Sequence, residues 1–308
     1  MDSHVSADGS AGVTDFASAL RHWRRRRGFS QLRLSLESGI SQRHLSFMET
    51  GRAHPGRETV LKLGIVLDIP LRQRNAMLLA AGFAPAYRER SLRDPELDAV
   101  MRALEFMLAQ QSPYPALVVD RLWNLTMINL PATRMLRWLL DLPPQAPIAQ
   151  DGSINVLAMM LDAAGLRRYL VNWEAVGADM LGWVQREAMA DGPGSDAQRL
   201  VETLLALPGV AAGLARPAGA DPDGPGLPLL PLVLSKHGVQ LNLFTTITTL
   251  GTPHDVTLHG LRLESFFPAD EASRQWFIAL AQAADRGESD RSAKLAGNRV
   301  IPATRIAK

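Results

Sequence analysis

Cysteine is absent from the 308 residues, which excludes disulfides and thiolate zinc sites. No uncharged apolar run reaches the roughly 18 residues that a membrane helix needs, so no membrane partner is expected. The opening stretch MDSHVSADGSAG is polar and has no apolar core, unlike a secretory signal; a cytoplasmic location is the expectation. Missing too are a Gly-x-Ser-x-Gly elbow, a glycine loop for phosphates and a dinucleotide fingerprint. No catalytic residue, cofactor or enzymatic activity is therefore expected.

What is present is ordinary for a globular chain, with 46% hydrophobic and 21% charged residues, and the length favours two domains over one. The net charge of +2 hides an asymmetry. Residues 14–90 hold 14 Lys+Arg against 6 Asp+Glu, whereas the remainder holds 19 against 25. A basic first module on an acidic body suits a domain that meets phosphate. Coding bias would explain the preference for arginine, but not this segregation of sign.

The stretch Ser30 to Gly51, SQLRLSLESGISQRHLSFMETG, organises the first module. Ser30 is a good N-cap before a short helix, Leu34 and Ser38 share one face, and Gly39 supplies the positive φ of a tight turn. Ser41 caps a second helix that buries Leu45 and Met48 and leaves Gln42, Arg43, His44, Ser46 and Phe47 outward. Two short helices joined by a glycine turn, the second opening on long polar side chains, make a helix-turn-helix. Gly28-Phe29-Ser30-Gln31, Leu34-Ser35, Ser38-Gly39-Ile40-Ser41 and Glu49-Thr50-Gly51-Arg52 with Pro55 resemble the Cro/phage-repressor (XRE) type of DNA-binding domain. Serines stand at Ser35 and Ser38, where that family usually has alanine. The resemblance implies five helices, an ion pair between Arg24 and Glu49, and operator contacts from the outward residues. Gln31 and Gln42 carry amides suited to a phosphate or an adenine edge, and Arg43 suits guanine or a phosphate. His44, Ser46 and Arg52 are further candidates. Phe47 either meets thymine methyls or folds back onto helix 1.

In chain order, residues 1–13 are expected to be a disordered leader and 14–90 the DNA-binding domain. Helix 1 runs from Asp15 to Arg27 and buries Phe16, Leu20 and Trp23. Of Arg24 to Arg27, those beyond Arg24 are candidates for phosphate contact. Helix 4, Glu58 to Leu67, buries Val60, Leu61, Leu63 and Leu67, and helix 5 runs from Leu71 to Ala81. Residues 92–285 form a second domain. Asp94-Pro95 starts a helix, Leu117–Val119 and Leu125–Ile128 form a hairpin, and Pro131 opens another helix. Helices follow at about 154–170, 172–190 and 196–207. Beyond a Gly/Pro/Asp-rich stretch from Ala215 to Pro228 come strand-like runs at Leu229–Leu234, Val239–Leu250 and Val256–Leu263. Pro268-Ala269-Asp270 caps a last helix that buries Trp276, Phe277 and Leu280, and the tail 286–308 is expected to be disordered. His254-Asp255 with His259 suggest a metal site, but on a strand a spacing of five puts the histidines on opposite faces without a fourth ligand. No metal is expected.

A hairpin, then helices, then three antiparallel strands is the order of a PAS-like sensor, so the expected architecture is an all-α repressor-like domain followed by an α+β PAS-like domain. The body also resembles the ligand-binding domain of MmyB-like transcription regulators, through Asp94-Pro95, Pro115-Ala116, Val119-Asp120-Arg121 with Trp123, Asn129, Trp173 and Phe267-Pro268. That resemblance implies a pocket for a small, largely apolar, fatty-acid-like molecule. The candidate lining is Trp123, Met127, Asn129, Trp173 and Phe244, although tryptophans at helical spacing equally serve a core. The reading is a nucleoid-acting transcription regulator that dimerises on a near-palindromic operator. The alternatives are a body that only dimerises or binds a protein, and an enzyme domain fused to a DNA-binding domain.

Overall fold

The computed structural model describes residues 15–143, 148, 154–191, 195–214, 231–251, 255–289 and 301–302. The leader 1–13, residues 144–147 of the proline-rich break, the stretch 215–228, His254 and most of the tail 286–308 lie outside the described residues. The chain divides into two compact units, Met1–Ser91 with Thr252–His259, and Leu92–Gly251 with Gly260–Lys308.

The first unit opens with α1, Phe16–Arg26, whose N-terminus is capped by the Asp15 carboxylate accepting from the Ser18 N–H at 2.8 Å. Phe16, Leu20 and Trp23 recur at i, i+4 and i+7 and are buried. In α2, Gln31–Ser38, the Ser30 hydroxyl accepts from the Arg33 N–H, and the helix ends at Gly39 with φ +65°. In α3, Gln42–Glu49, Ser41 caps through the His44 N–H. α4, Arg57–Val66, and α5, Leu71–Ala80, complete a five-helix bundle. Its core joins Leu34, Leu45, Met48, Val60, Leu63, Leu67, Ile69 and Leu78 to the α1 stripe. Leu61 is half-buried rather than buried; the next turn supplies Ile69 to the core in addition.

The second unit begins with a single 3-10 turn, Pro95–Leu97, capped by Asp94, and continues as α6, Asp98–Gln110. Strands β1, Ala116–Val119, and β2, Leu125–Ile128, form the expected antiparallel hairpin. Then come α7, Leu130–Leu140, α8, Val156–Leu161, a 3-10 turn at Arg167–Tyr169, α9, Trp173–Asp191, α10, Asp196–Ala206, and α11, Val210–Gly213. Strands β3, Leu232–Lys236, and β4, Val239–Thr249, meet through His237-Gly238, both at positive φ (+49° and +78°), the two-residue turn whose twist matches the strands. α12, Val256–His259, follows, then β5, Arg262–Pro268, α13, Glu271–Ser289, and the two-residue β6, Ile301–Pro302. The sheet is antiparallel throughout, in the order β3-β4-β5-β1-β2-β6.

Two expectations are corrected. Residues 154–170 are not one helix. Beyond Leu161 the chain folds back so that the Leu166 N–H reaches the Met159 carbonyl at 2.8 Å, and a Cβ on Gly165 would stand 2.3 Å from that oxygen. The run Val256–Leu263 is not one strand either. Asp255 Oδ1 accepts from the N–H groups of Thr257 and Leu258 at 2.9 and 3.3 Å, a cap that starts a helical turn despite the strand preference of Val-Thr. The third strand starts at Arg262, and the strand geometry invoked for His259 does not apply. The segment around α12 belongs to the first unit: Asp255 is buried and pairs with Arg90 at 2.8 Å, Val256 donates to the Arg88 carbonyl, and Thr257 exchanges two bonds with the Arg90 backbone.

Register sorts the second unit into two layers. One sheet face carries Leu117, Val119, Ile128, Leu232, Leu234, Leu241, Leu243, Ile247, Glu264 and Phe266, nearly all members of the main core under α7–α11 and α13. The other carries Val118, Met127, Phe244, Leu263 and Phe267, with α6 against β1 on that side.

Asn129 joins strand to helix. Its Oδ1 accepts from the N–H groups of Ala132 (2.9 Å) and Ala116 (3.0 Å), and its Nδ2 donates to the carbonyls of Tyr114 (2.9 Å) and Leu108 (3.2 Å). At 3% exposure, its loss leaves buried backbone groups unpaired. Asn129→Ala is therefore expected to lower the unfolding free energy by roughly 2–4 kcal/mol in urea denaturation; a loss below about 1 kcal/mol would contradict this role.

Candidate DNA interface and ligand-binding unit

Helix α3 is fixed from its C-terminal end. The Glu49 carboxylate, 3% exposed, accepts from Arg24 at 2.5 and 2.9 Å and from the Gln31 amide at 2.8 Å. Arg21 donates to the Glu49 carbonyl, and Arg24 also reaches the Phe29 carbonyl at 2.8 Å. One carboxylate thus ties α1, the start of α2 and the end of α3 together, as the repressor resemblance implied for Arg24 and Glu49. Gln31 spends its amide donor here, a link that the spacing of the sequence did not reveal.

Gln42, Arg43 and Arg52 are exposed; His44, Ser46 and Phe47 are half-buried. Phe47 takes an intermediate position between the two expected for it, with the Arg43 guanidinium 5.4 Å above its ring. Its carbonyl accepts from Arg52 (2.8 Å) and Ala53 (3.2 Å), which sets the path of the following loop. Of the arginines put forward for phosphate, Arg27 instead closes the bundle. It donates to the Leu67 carbonyl at 2.9 Å and pairs with Asp68 at 3.2 Å. Arg26 lies 5.4 Å from the Trp23 ring centre.

The five candidates for ligand lining do not share one place. Trp123 (1% exposed) and half-buried Trp173 pack into the main core, with Gly213 so close to the Trp173 ring that a Cβ would lie 2.2 Å from it. Met127 and Phe244 lie on the opposite sheet face, Phe244 stacked on Phe267 at 5.1 Å. Asn129 has all its donor and acceptor positions engaged by backbone. Sequence reading missed a polar cluster on the core face. Arg262, 8% exposed, lies 5.7 Å from the Trp123 ring and 5.4 Å from the Trp183 ring and pairs with Glu187. Two positions along the same strand and face stands Glu264, 7% exposed. Alternation along Arg262-Leu263-Glu264 was the available signal, since a charge at every second place in a buried strand marks one face.

This architecture, a five-helix bundle with an exposed polar start to α3 and, as a second unit, a helix-covered sheet, is that of a DNA-binding regulator with a ligand-binding domain. Residues 20–73 match a helix-turn-helix family model. Residues 100–280 match the MmyB-like transcription regulator ligand binding domain, more than half of the chain, and the chain belongs to that family. No curated protein matches it. It is accordingly a DNA-binding transcription regulator with a ligand-binding domain. Among the described residues, no helix is long and apolar enough to cross a membrane.

Burial alone would raise the Glu49 carboxyl, but the bonds from Arg24 and Gln31 outweigh it and hold the group below its ordinary value. A carboxylate depressed in the folded state stabilises the fold above its unfolded pKa, and the contribution is lost as pH falls through the folded value. Acid unfolding of the wild type is thus expected to be steeper below about pH 4.5 than that of Glu49→Gln. Parallel stability–pH curves for the two proteins would refute the assignment.

Proposed function

We propose that the protein binds a specific, near-palindromic operator as a homodimer and that a small, largely apolar molecule held in its second unit controls this binding. The observation that carries the DNA half is the exposed pair Gln42 and Arg43 at the start of a helix whose other end is locked by Glu49. A guanidinium so placed suits bidentate contact with guanine, and the Phe47 ring beneath Arg43 limits its rotamers and offers an apolar edge to thymine methyls. His44, Ser46 and Arg52 flank this pair, and Gln31 supports it through Glu49. Two-fold pairing is proposed because one such module contacts too few base pairs to find a site among genomic competitors. The site of action is the nucleoid in the cytoplasm. For the ligand half, support comes from the family of residues 100–280 and from the large apolar core over one sheet face, which carries Trp123 and Trp173.

Arg43→Ala is expected to weaken operator binding by about 1–3 kcal/mol while affecting random DNA little. Equal weakening on both would make Arg43 a phosphate contact. Phe47→Ala is expected to relax preference at one or two operator positions with a nearly unchanged melting temperature.

Sedimentation of the full chain at micromolar concentration is expected to show a dimer, with an operator of two half-sites about 34 Å apart bound at least a hundredfold more tightly than one half-site. A monomer with equal affinity for both sites would overturn the dimer. Native mass spectrometry is expected to find a small molecule carried by the purified chain; an empty chain would favour a body that only dimerises or binds a protein.

A further inference from the structure

Helix α6 buries Leu104 and Leu108 and lies against β1. On its opposite side Ala99, Ala103, Phe106 and Gln110 recur at i, i+4, i+7 and i+11 and form a strip in which every residue is exposed. Phe106 is 65% exposed, and of the nine phenylalanines it is the one left exposed. Met107 stands beside it, 36% exposed, and carries the apolar surface onto a groove lined with Leu104, Leu250, Leu261 and Leu263. With a volume of about 30 Å³, the groove has room for about one water molecule and none for a sensed ligand. An aromatic ring left in water beside further apolar surface marks a protein interface.

Charge says what covers the strip. Along one flank follow Asp98, Arg102 and Glu105, all exposed, in the order acid, base, acid. When two copies of a helix pair antiparallel about a two-fold axis, each flank meets its own counterpart, so a base and an acid on one flank can face each other twice. A single register satisfies charge and shape together. With Arg102 level with Glu105 of the copy, Phe106 comes level with the gap between Ala99 and Ala103 of the copy, where small side chains admit the ring. Both relations recur by symmetry. A different protein would have to supply an acid, a base and a seat for the ring in matching positions, whereas a second copy carries all three. We infer that α6 is the two-fold interface of the dimer, packed antiparallel on α6 of a second copy, with Phe106 as its anchor and two Arg102–Glu105 ion pairs at its edge. The inference rests on the dimer reading above and names the surface that makes it.

The test is sedimentation equilibrium of the full chain and its variants. Phe106→Arg is expected to raise the dimer dissociation constant by at least about thirtyfold, the loss of one anchor residue, with a nearly unchanged melting temperature because the side chain is exposed. Arg102→Glu and Glu105→Arg, made singly, are each expected to weaken the dimer. The double variant Arg102→Glu with Glu105→Arg restores it, since reversing both signs preserves every facing pair. Because the chain lacks cysteine, Ala103→Cys introduces its sole thiol close to the two-fold axis, and oxidation with diamide is expected to join two chains. Met189→Cys, at a site 71% exposed on α9, is the control that should not join. A wild-type dimer whose dissociation constant is unchanged by Phe106→Arg, or a double variant weaker than both singles, overturns this surface and leaves the dimer reading in place; the strip would then serve a different protein. A wild-type chain that stays monomeric and binds one half-site as tightly as two overturns the dimer reading itself.

Discussion

Strand β5 is covered on both faces, and much of the second unit follows from that constraint. Its first five residues, Arg262 to Phe266, are all buried, so each alternate side chain must find its partners in one of two different layers. Leu263 and Ser265 answer to the face that carries Met127 and Phe244. Arg262, Glu264 and Phe266 answer to the face beneath the helices. Two of those three are ionisable, and a charged group in such a place persists only with specific partners. Arg262 has them, in two indole rings and a carboxylate. The rings are brought there by a hairpin turn held in a strained conformation and by a long helix, so several distant segments of sequence are recruited to one guanidinium.

The first unit solves a similar problem with one acid. Glu49 is as buried as the hydrophobic core around it, and it stays ionised because Arg24 and Gln31 come to it from two other helices. The geometry of the outward side of α3 is inherited from this buried contact on the inward side. For the base reading proposed for Gln42 and Arg43, rigid presentation matters, because a bidentate reader loses its advantage when its backbone shifts by a fraction of a bond length.

Much of this was legible beforehand, and the reasons differ from place to place. Short helices with strong caps, such as Ser30 before α2 and Ser41 before α3, declare themselves locally, and the glycine at position 39 fixes the turn between them. The hairpin turn at His237-Gly238 and the N-cap at Asp270 are equally local. The errors lie where a contact made elsewhere overrides local preference. Val256 and Thr257 favour strands, but Asp255 caps them into a helical turn. The helix expected through residue 170 stops at Leu161 because the chain folds back onto the Met159 carbonyl. At the candidate ligand site, Trp123, Met127, Asn129, Trp173 and Phe244 were plausible one by one. Which sheet face each occupies depends on register, and register is fixed by pairing across the whole sheet rather than by any single stretch. The Trp123–Glu187–Arg262 cluster was hidden for the same reason, its members standing in a turn, a helix and a strand far apart in sequence.

Residues 255–259 pack with the first unit, although the strands before and after them in sequence, β4 and β5, belong to the sheet of the second. The two units are therefore interleaved along the sequence. Separating them means cutting three peptide linkages, after residues 91, 251 and 259, where a simple tandem arrangement would need one. A chimaera that exchanges only the N-terminal half for that of a relative would inherit a foreign Asp255 facing the positions of Arg88 and Arg90. Transplanting the first unit intact therefore means carrying the segment with Asp255 along with Arg88 and Arg90.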